Sequence, residues 1–472
     1  MKTTLLTLAL GLSCIVSSSL FGQWSSDPMA NLGVAVKPSD QVQPKVLPRP
    51  DGGFYVSWFD NDPNGNPPFG YDVYLQSLDA NGVAQWQAGG IRFADLGMSS
   101  TQDYGFDVDA DGNALLAFLD DRNPHKAVAV TIIKVSPAGV QLWGTPAQGR
   151  QPGRGPGFKG NPKITATSDG SIVVGWINGN NLTLQRLSSH GGRQWGTHGV
   201  TITAPAGQTY SIADLHAGDD GSAIVSWVSA AGFSSPKILL ANKLSSTGAL
   251  LWGSNHVAVF DGGSLQFGNF PSFVTDGAGG AVFGWYEVSP LQSRAQHILG
   301  DGTEAFPHNG VPGSTNTGHD QVNPAVSYDP ATGSTYLFWD EILEGPLTNE
   351  GISGQKFDST GAVQWGDFGL VVQGFTSSAV INVTSVFTPA GPYVVWSSEP
   401  TFGQDTIYGA KIDPSGTIVC SPFTVSSLLS SKSRLDLTIS SLGLTVAVWS
   451  DDRADGGDIY AQDIKPDCTL GL

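Results

Sequence analysis

Three observations in the 472-residue sequence predict one fold class, all-β and closed into a ring. Gly (61 residues) and Pro (29) are frequent while charged residues make up only 14%, the composition of short strands joined by tight turns. A turn followed by an apolar strand that ends in an aromatic recurs eight times. The chain also opens on half of a repeat and ends on the other half. Together these predict an eight-bladed β-propeller of four-stranded antiparallel blades, its ring closed by the N-terminal strand.

In chain order, residues 1–22 carry one Lys, a short Ser-containing apolar stretch and a small residue before Gln23, which reads as a secretory signal peptide cleaved near Gly22. Cys14 follows Gly11-Leu12-Ser13, a poor lipidation box. The expected location is therefore outside the cell, in the periplasm or at the cell surface. Residues 23–472 are expected to form a single propeller domain and to act as a monomer. No other stretch is apolar for long enough to span a membrane as a helix.

The repeated strands are "DGGFYVSW", "DGNALLAF", "DGSIVVGW", "DGSAIVSW", "GAGGAVFGW", "ATGSTYLFW", "PAGPYVVW" and "LGLTVAVW". Their terminal aromatics are Trp58, Phe118, Trp176, Trp227, Trp285, Trp339, Trp396 and Trp449, at the interval of one propeller blade. Several copies are preceded by a Pro and an apolar strand, as at Pro44, Pro162, Pro271 and Pro324. A third strand, a Gly turn such as "DANG" or "DSTG", and a fourth strand opening with "QW" or "LW" complete each unit. The outer Trp24, Trp86, Trp143, Trp195, Trp252 and Trp365 and the seven inner Trp account for all 13. A blade of this kind cannot bury both faces alone and needs equivalents stacked on either side. One buried Trp per blade, worth roughly 4–6 kcal/mol as an upper bound, explains the Trp period without a cofactor.

The eighth unit has its turn, its Trp449 strand and "DIYAQ", then stops where "QW" should follow. Residues 23–36 supply "QW…LGVAV" with no unit before it. The two ends are therefore expected to meet in one sheet, which removes the open edge. Of the Cys residues beyond the signal peptide, Cys420 and Cys468 fall in neighbouring units at outer positions; an exported compartment permits a bridge, whereas outer positions are expected to diverge.

The stretch "WSDDRADGGDIYAQDI" resembles the repeat of TolB-type propellers, with "WFDNDPNGNPPFGYDVYLQSL" and "FLDDRNPHKAVAVTIIKV" as looser versions. The outer "LDANGVAQW", "LSSTGALLWG" and "FDSTGAVQWG" are similar to the Gly-then-Trp repeat of quinoprotein-like propellers. The whole resembles exported bacterial propeller-repeat proteins. This resemblance implies the fold and leaves function open; the quinoprotein likeness stops at the scaffold, since no adjacent Cys pair is present.

The formal charge of −18 would repel a nucleic-acid backbone, so nucleic acid is not an expected partner. No His-Glu-x-x-His set and no Gly-x-Ser-x-Gly elbow occurs, and no catalytic residue is assigned. "DNDPNGN" sets Asp60, Asp62 and Asn64 before Gly65, with Asp72 nearby, and matches the first half of a calcium loop. "DVDADGN" does the same with Asp107, Asp109 and Asp111, but at a place where other units have an ordinary turn. Neither has the Glu twelve residues from its start. Calcium is thus the one cofactor the sequence admits. Asp121 with Arg122, and Asp451 with Arg453 and Asp458, recur at equivalent places, which favours ion pairing within blades. Asp340, Glu341 and Glu399 lie just past inner strands and are the candidates for polar ligand contact. The leading expectation is a secreted non-catalytic propeller that binds a protein or glycan through loops on one face. The alternatives are a glycoside hydrolase or polysaccharide lyase with carboxylates in the central funnel, and a structural surface protein.

Overall fold

The computed structural model describes residues 23–471, except 66–67, 102, 123–127, 145–148, 154–157, 344 and 346–348. The expected signal peptide lies outside the described residues. Eight antiparallel sheets follow one another around an axis. In blade 1 the order from the axis outward is Gln41–Pro48, Phe54–Asp62, Gly70–Leu78 and Ile91–Ala94. The inner strands of blades 2 to 8 are Gly105–Val108, Lys159–Ala166, Thr209–Ala217, Phe273–Thr275, Asp320–Asp329, Ala379–Thr388 and Lys432–Ile439. Blade 2 has three strands among the described residues, and Arg150 bridges Ile132 where its fourth would run.

Ring closure follows the sequence expectation. Leu32–Ala35 is the outer strand of blade 8 and pairs with Asp458–Ile464, with Leu32 opposite Ala461 and Gly33 opposite Tyr460. The two ends of the chain thereby share one set of ladder hydrogen bonds, which leaves no unpaired strand at the seam.

The second strand of every blade is mostly apolar and buried because both its faces are covered by neighbouring blades, with single polar side chains such as Ser57, Asp60, Asp340 and Glu341 among the apolar ones. Trp58, Trp176, Trp227, Trp285, Trp339, Trp396 and Trp449 and Phe118 are all buried there. The outer Trp residues join blade to blade. Trp24 Nε1 donates to Ala80 O (2.9 Å), Trp86 Nε1 to Pro137 O (3.1 Å), Trp195 Nε1 to Ser246 O (2.9 Å) and Trp252 Nε1 to Gly300 O (3.1 Å). Each acceptor lies in the outer turn of the following blade. The Gly of that turn sits directly under the ring: a Cβ on Gly302 would come within 2.7 Å of Trp252, and its φ of +88° already demands Gly. This explains why the Gly turn and the outer Trp recur together.

Cys420 and Cys468 are bridged, with Cα atoms 6.4 Å apart. The outer positions do not diverge here. Blade 7 has a long outer strand, Ile418–Ser430, and the tail after Ile464 folds back in a turn, with Cys468 N–H donating to Lys465 O (2.8 Å). No helix among the described residues is long and apolar enough to cross a membrane.

Candidate functional site

In a four-stranded meander the first-to-second and third-to-fourth turns lie at one end of the blade. The second-to-third loops and the crossings to the next blade lie at the other. The ring therefore has a turn face of short hairpins and a loop face. Eight Phe among the described residues are at least 42% exposed, and seven belong to the loop face. Phe69, Phe233 and Phe402 stand in second-to-third loops, Phe158, Phe267 and Phe270 in crossings, and Phe375 near the loop-face end of an outer strand. Phe368, before that same outer strand, is the exception.

At the loop-face mouth of the channel five of the inner strands, those of blades 1, 3, 6, 7 and 8, share a bulge. Ladder register slips between Val42 and Lys45, between Val322 and Ala325, between Ile381 and Thr384, and between Ser433 and Asp436. A second-strand slip between Gly175 and Ile177 marks the same bulge in blade 3. Its first residue has positive φ: Gln43 (55°), Asn161 (43°), Asn323 (50°), Asn382 (54°) and Arg434 (56°). Asn tolerates this region better than most side chains, whereas Gln and Arg rarely enter it. The bulge opens the inner strand at the mouth and sets these side chains around it.

Two residues past the bulge, or at the equivalent place where a strand has none, seven inner strands set a residue opposite the one that precedes the blade's buried aromatic. These are Lys45, Gly105, Lys163, Asp214, Ala325, Thr384 and Asp436 in blades 1, 2, 3, 4, 6, 7 and 8. The ring is thus charged in blades 8, 1, 3 and 4 and neutral in blades 6 and 7, with Asp103, just before the blade 2 inner strand, adding a charge at blade 2. Within the charged sector the groups satisfy one another. Asp103 accepts from Lys45 Nζ (2.7 Å) and from Lys163 Nζ, and so spans blades 1 to 3. Asp214 Oδ2 meets His216 Nε2 at 3.0 Å. Three of the Asp reach into the next blade, where they accept backbone N–H groups: Asp436 from Val46 (2.9 Å), Asp107 from Ala166 (2.7 Å) and Asp214 from Phe273 (3.2 Å).

The electrostatics follow from burial set against partners. Burial opposes ionisation of Asp103, but the two ammonium groups outweigh it and hold the carboxyl well below the usual range. For Lys45 burial wins over Asp103, and its pKa falls. Although the His216 side chain is 45% exposed, its enclosure by the channel wall alone would lower its pKa; the adjacent Asp214 carboxylate reverses this and raises it. Asp107 and Asp436 are raised by burial, against the backbone hydrogen bonds they accept.

Two cavities lie over blades 5 to 7. One of about 380 Å³ is lined by Phe267, Asn269, Phe270, Tyr286 and Asn323 among others, and one of about 400 Å³ by Asn323, Pro324, Ile381, Asn382 and Val383. A third, of about 260 Å³, lies on the other side of the 261–272 crossing, against Phe233 and Lys237. The rings of Phe233 and Phe267 are 4.6 Å apart.

The sequence candidates fall elsewhere. Asp340 is 2% exposed, and its carboxyl is pushed up to about 8 by burial and by the charges of Glu350 and Glu341; its Oδ1 has no partner. Glu341 accepts from Ser353 Oγ and meets His319 Nδ1 at 2.7 Å. It occupies the position two past the aromatic, where Asp60, Asp120, Glu287 and Asp451 pair with Lys37, Arg122, Arg294 and Arg453. Glu399 caps a turn by accepting from Gly403 N–H (2.7 Å). Thus neither the Asp340/Glu341 pair nor Glu399 faces the charged ring.

Asp60, the first of the calcium candidates, is buried against Lys37. Asp62 faces the Tyr74 hydroxyl (3.0 Å) and Arg92 (3.6 Å), and its Oδ1 accepts from the Asn64 N–H (2.8 Å). Asp109 closes an ordinary turn and pairs with Lys134 (2.6 Å), while Asp107 points to blade 3. No group of three or more His, Cys, Asp or Glu among the described residues is arranged to hold a metal ion. Pairing within blades holds for Arg453 with Asp451 (2.6 Å), but two members of the sets differ: Arg122 takes Asp120 (2.7 Å) while Asp121 accepts from Gly97 N–H (3.1 Å), and Asp458 accepts from Lys37 N–H (3.1 Å) instead of pairing with Arg453. Sequence reasoning missed the Lys45–Asp103–Lys163 set and the mouth asparagines. The signal was present in the recurring inner-strand Pro: three of the bulge residues immediately precede Pro44, Pro162 and Pro324.

No protein-family model and no curated protein sequence matches the chain. Among solved structures it is similar to a polysaccharide lyase, PL25 ulvan lyase (TM-score 0.49, 12% identity, 85% of this chain and 97% of that one). It is also similar to the α-L-arabinofuranosidase from Fusarium graminearum (TM-score 0.37, 12% identity, 64% and 92%). A third is puromycin hydrolase (TM-score 0.45, 12% identity, 91% and 61%), of whose length the chain thus spans about three fifths. Similarity at this level does not extend to chemistry. The eight-bladed propeller stands on the sheet topology itself.

Proposed function

We propose that this protein is an exported, non-catalytic propeller that holds a protein or glycan ligand against the loop face of its ring. The observation that carries this reading is the one-sided placement of the exposed Phe: seven stand on the loop face. Apolar rings kept in water on one face cost solubility and mark a contact surface when they cluster around concave sites. The channel charges agree with a scaffold role, since each Asp of the charged sector already holds a cation or a backbone N–H. The test compares ligand binding by the wild-type protein with a Phe69→Ser/Phe158→Ser/Phe402→Ser variant and with Phe368→Ser. Binding weakened by the loop-face changes and untouched by the last supports the reading; the opposite ranking rejects it.

One observation favours a second reading, acid–base cleavage of a polysaccharide. Asp214 of blade 4 and Asp107 of blade 2 both act on one imidazole, that of His216, whose side chain is 45% exposed. His216 held by Asp214 has the form of an oriented general acid or base. Turnover of polysaccharides that disappears in Asp214→Asn and His216→Ala would establish this reading in place of the first.

A further inference from the structure

We infer that the ligand of the loop face is an uncharged glycan chain, seated in the neutral sector of the mouth over blades 5 to 7. This deepens the loop-face reading and rests on it. The two cavities here share Asn323 and Pro324, and neither is lined by a charged residue. Together they form one trough that crosses from the 261–272 crossing to the inner strand of blade 7. Besides the hydroxyls of Ser272 and Tyr286, its polar side chains are the amides Asn269, Asn323 and Asn382, which make no side-chain hydrogen bond among the described residues. A carboxamide offers two donors and an acceptor with two lone pairs, the complement of neighbouring sugar hydroxyls. Asn323 and Asn382 are held at the rim by positive-φ bulges rather than left on flexible loops. The rings of Phe267, Phe270 and Tyr286 supply flat apolar faces for the C–H side of a pyranose.

Electrostatics choose among glycans. A protein of formal charge −18 repels a polyanion. The channel lysines Lys45 and Lys163 are on the far side and already share Asp103, and Lys237, beside the 261–272 crossing, donates to the Phe233 and Ser235 carbonyls. Two carboxyl groups of blade 6, Glu350 and Asp340, do not invite a cation either. Glu350 accepts from Val380 N–H, and burial, with the charges of Glu350 and Glu341, pushes the Asp340 carboxyl up to about 8. A protein partner would be expected to use charged or Arg contacts at the rim, and the trough has none.

The experiment is affinity electrophoresis of the whole protein in native gels. The gels hold neutral polysaccharides with β-1,4, β-1,3 and α-linked backbones or, as anionic controls, alginate and polygalacturonate. Asn323→Gly/Asn382→Gly removes both amides while keeping a residue that accepts positive φ, and Phe270→Ala removes a ring; thermal melts check that each variant folds. The expected result is retardation by at least one neutral polymer and by neither anionic one. Affinity should fall at least tenfold in both variants and stay unchanged in Phe368→Ser. Retardation by the anionic polymers alone, by no polymer, or by a neutral polymer with both variants unaffected overturns the inference. In those cases a purified ligand whose binding is lost in Phe69→Ser/Phe158→Ser/Phe402→Ser still upholds the loop-face reading, and loss of neither kind ends both.

Discussion

Asp340 shows how a single residue records its place in the ring. It follows Trp339 in the second strand of blade 6, so its side chain points to the opposite side, into the interface with blade 7. The equivalent residues in other blades include Phe59, Leu119 and Ile177, so a carboxyl here replaces an apolar group. With its pKa raised to about 8, the folded protein keeps a proton that the unfolded chain releases near pH 4. Between these values the folded state binds more protons, and stability therefore falls as pH rises. Asp340→Asn should remove that dependence: its melting temperature should exceed that of the wild type by a margin that widens from pH 5 to pH 8. A constant margin would contradict the assignment. Asp340 and Glu341 stand side by side in the sequence and look like one acidic pair. Strand alternation separates them, and only three-dimensional packing tells which faces what.

At the scale of elements, the outer turn and the preceding blade's Trp form one joint. Gly302→Ala would place a methyl against Trp252 as well as straining a positive φ. The combined cost is on the order of 2–4 kcal/mol. Gly170 has a φ of +77° but open space around its missing Cβ, so Gly170→Ala should cost only about 1–2 kcal/mol. Urea melts of the two variants separate packing from backbone strain, and equal losses would argue against the joint. The repeated Gly and Trp were legible because both have strong local signatures. The inner-strand bulge was not. A residue before Pro favours extended backbone, yet Gln43, Asn161 and Asn323 take positive φ, so the demands of packing around the axis override the local preference. The charged ring was hidden for the same reason, since its members are equivalent only once the bulges are counted.

For the molecule as a whole, closure was readable because each end of the chain carries the complement of the other. The Cys420–Cys468 link was not, because it depends on a strand extension and a folded-back tail that no repeat motif encodes. Joining residues 48 apart, it should stabilise the protein by about 4 kcal/mol in the chain-entropy view. Cys420→Ser/Cys468→Ser should accordingly lower the midpoint of denaturant unfolding while leaving ligand binding at the distant mouth intact. Loss of binding along with the bridge would mean that the ring deforms as one body.

The division of the mouth into a self-satisfied charged sector and an unpartnered neutral one is the basis of the functional reading. Hydrogen–deuterium exchange of the protein, alone and with the neutral polysaccharide that retards it, tests this division most directly. Protection should appear in residues 261–272, in the blade 6 inner strand around Asn323 and in the blade 7 inner strand around Asn382, with the turn face unchanged. Protection confined to the turns at 49–53 and 109–113, or spread over Lys45, Asp103 and Lys163 with the neutral sector untouched, would contradict it.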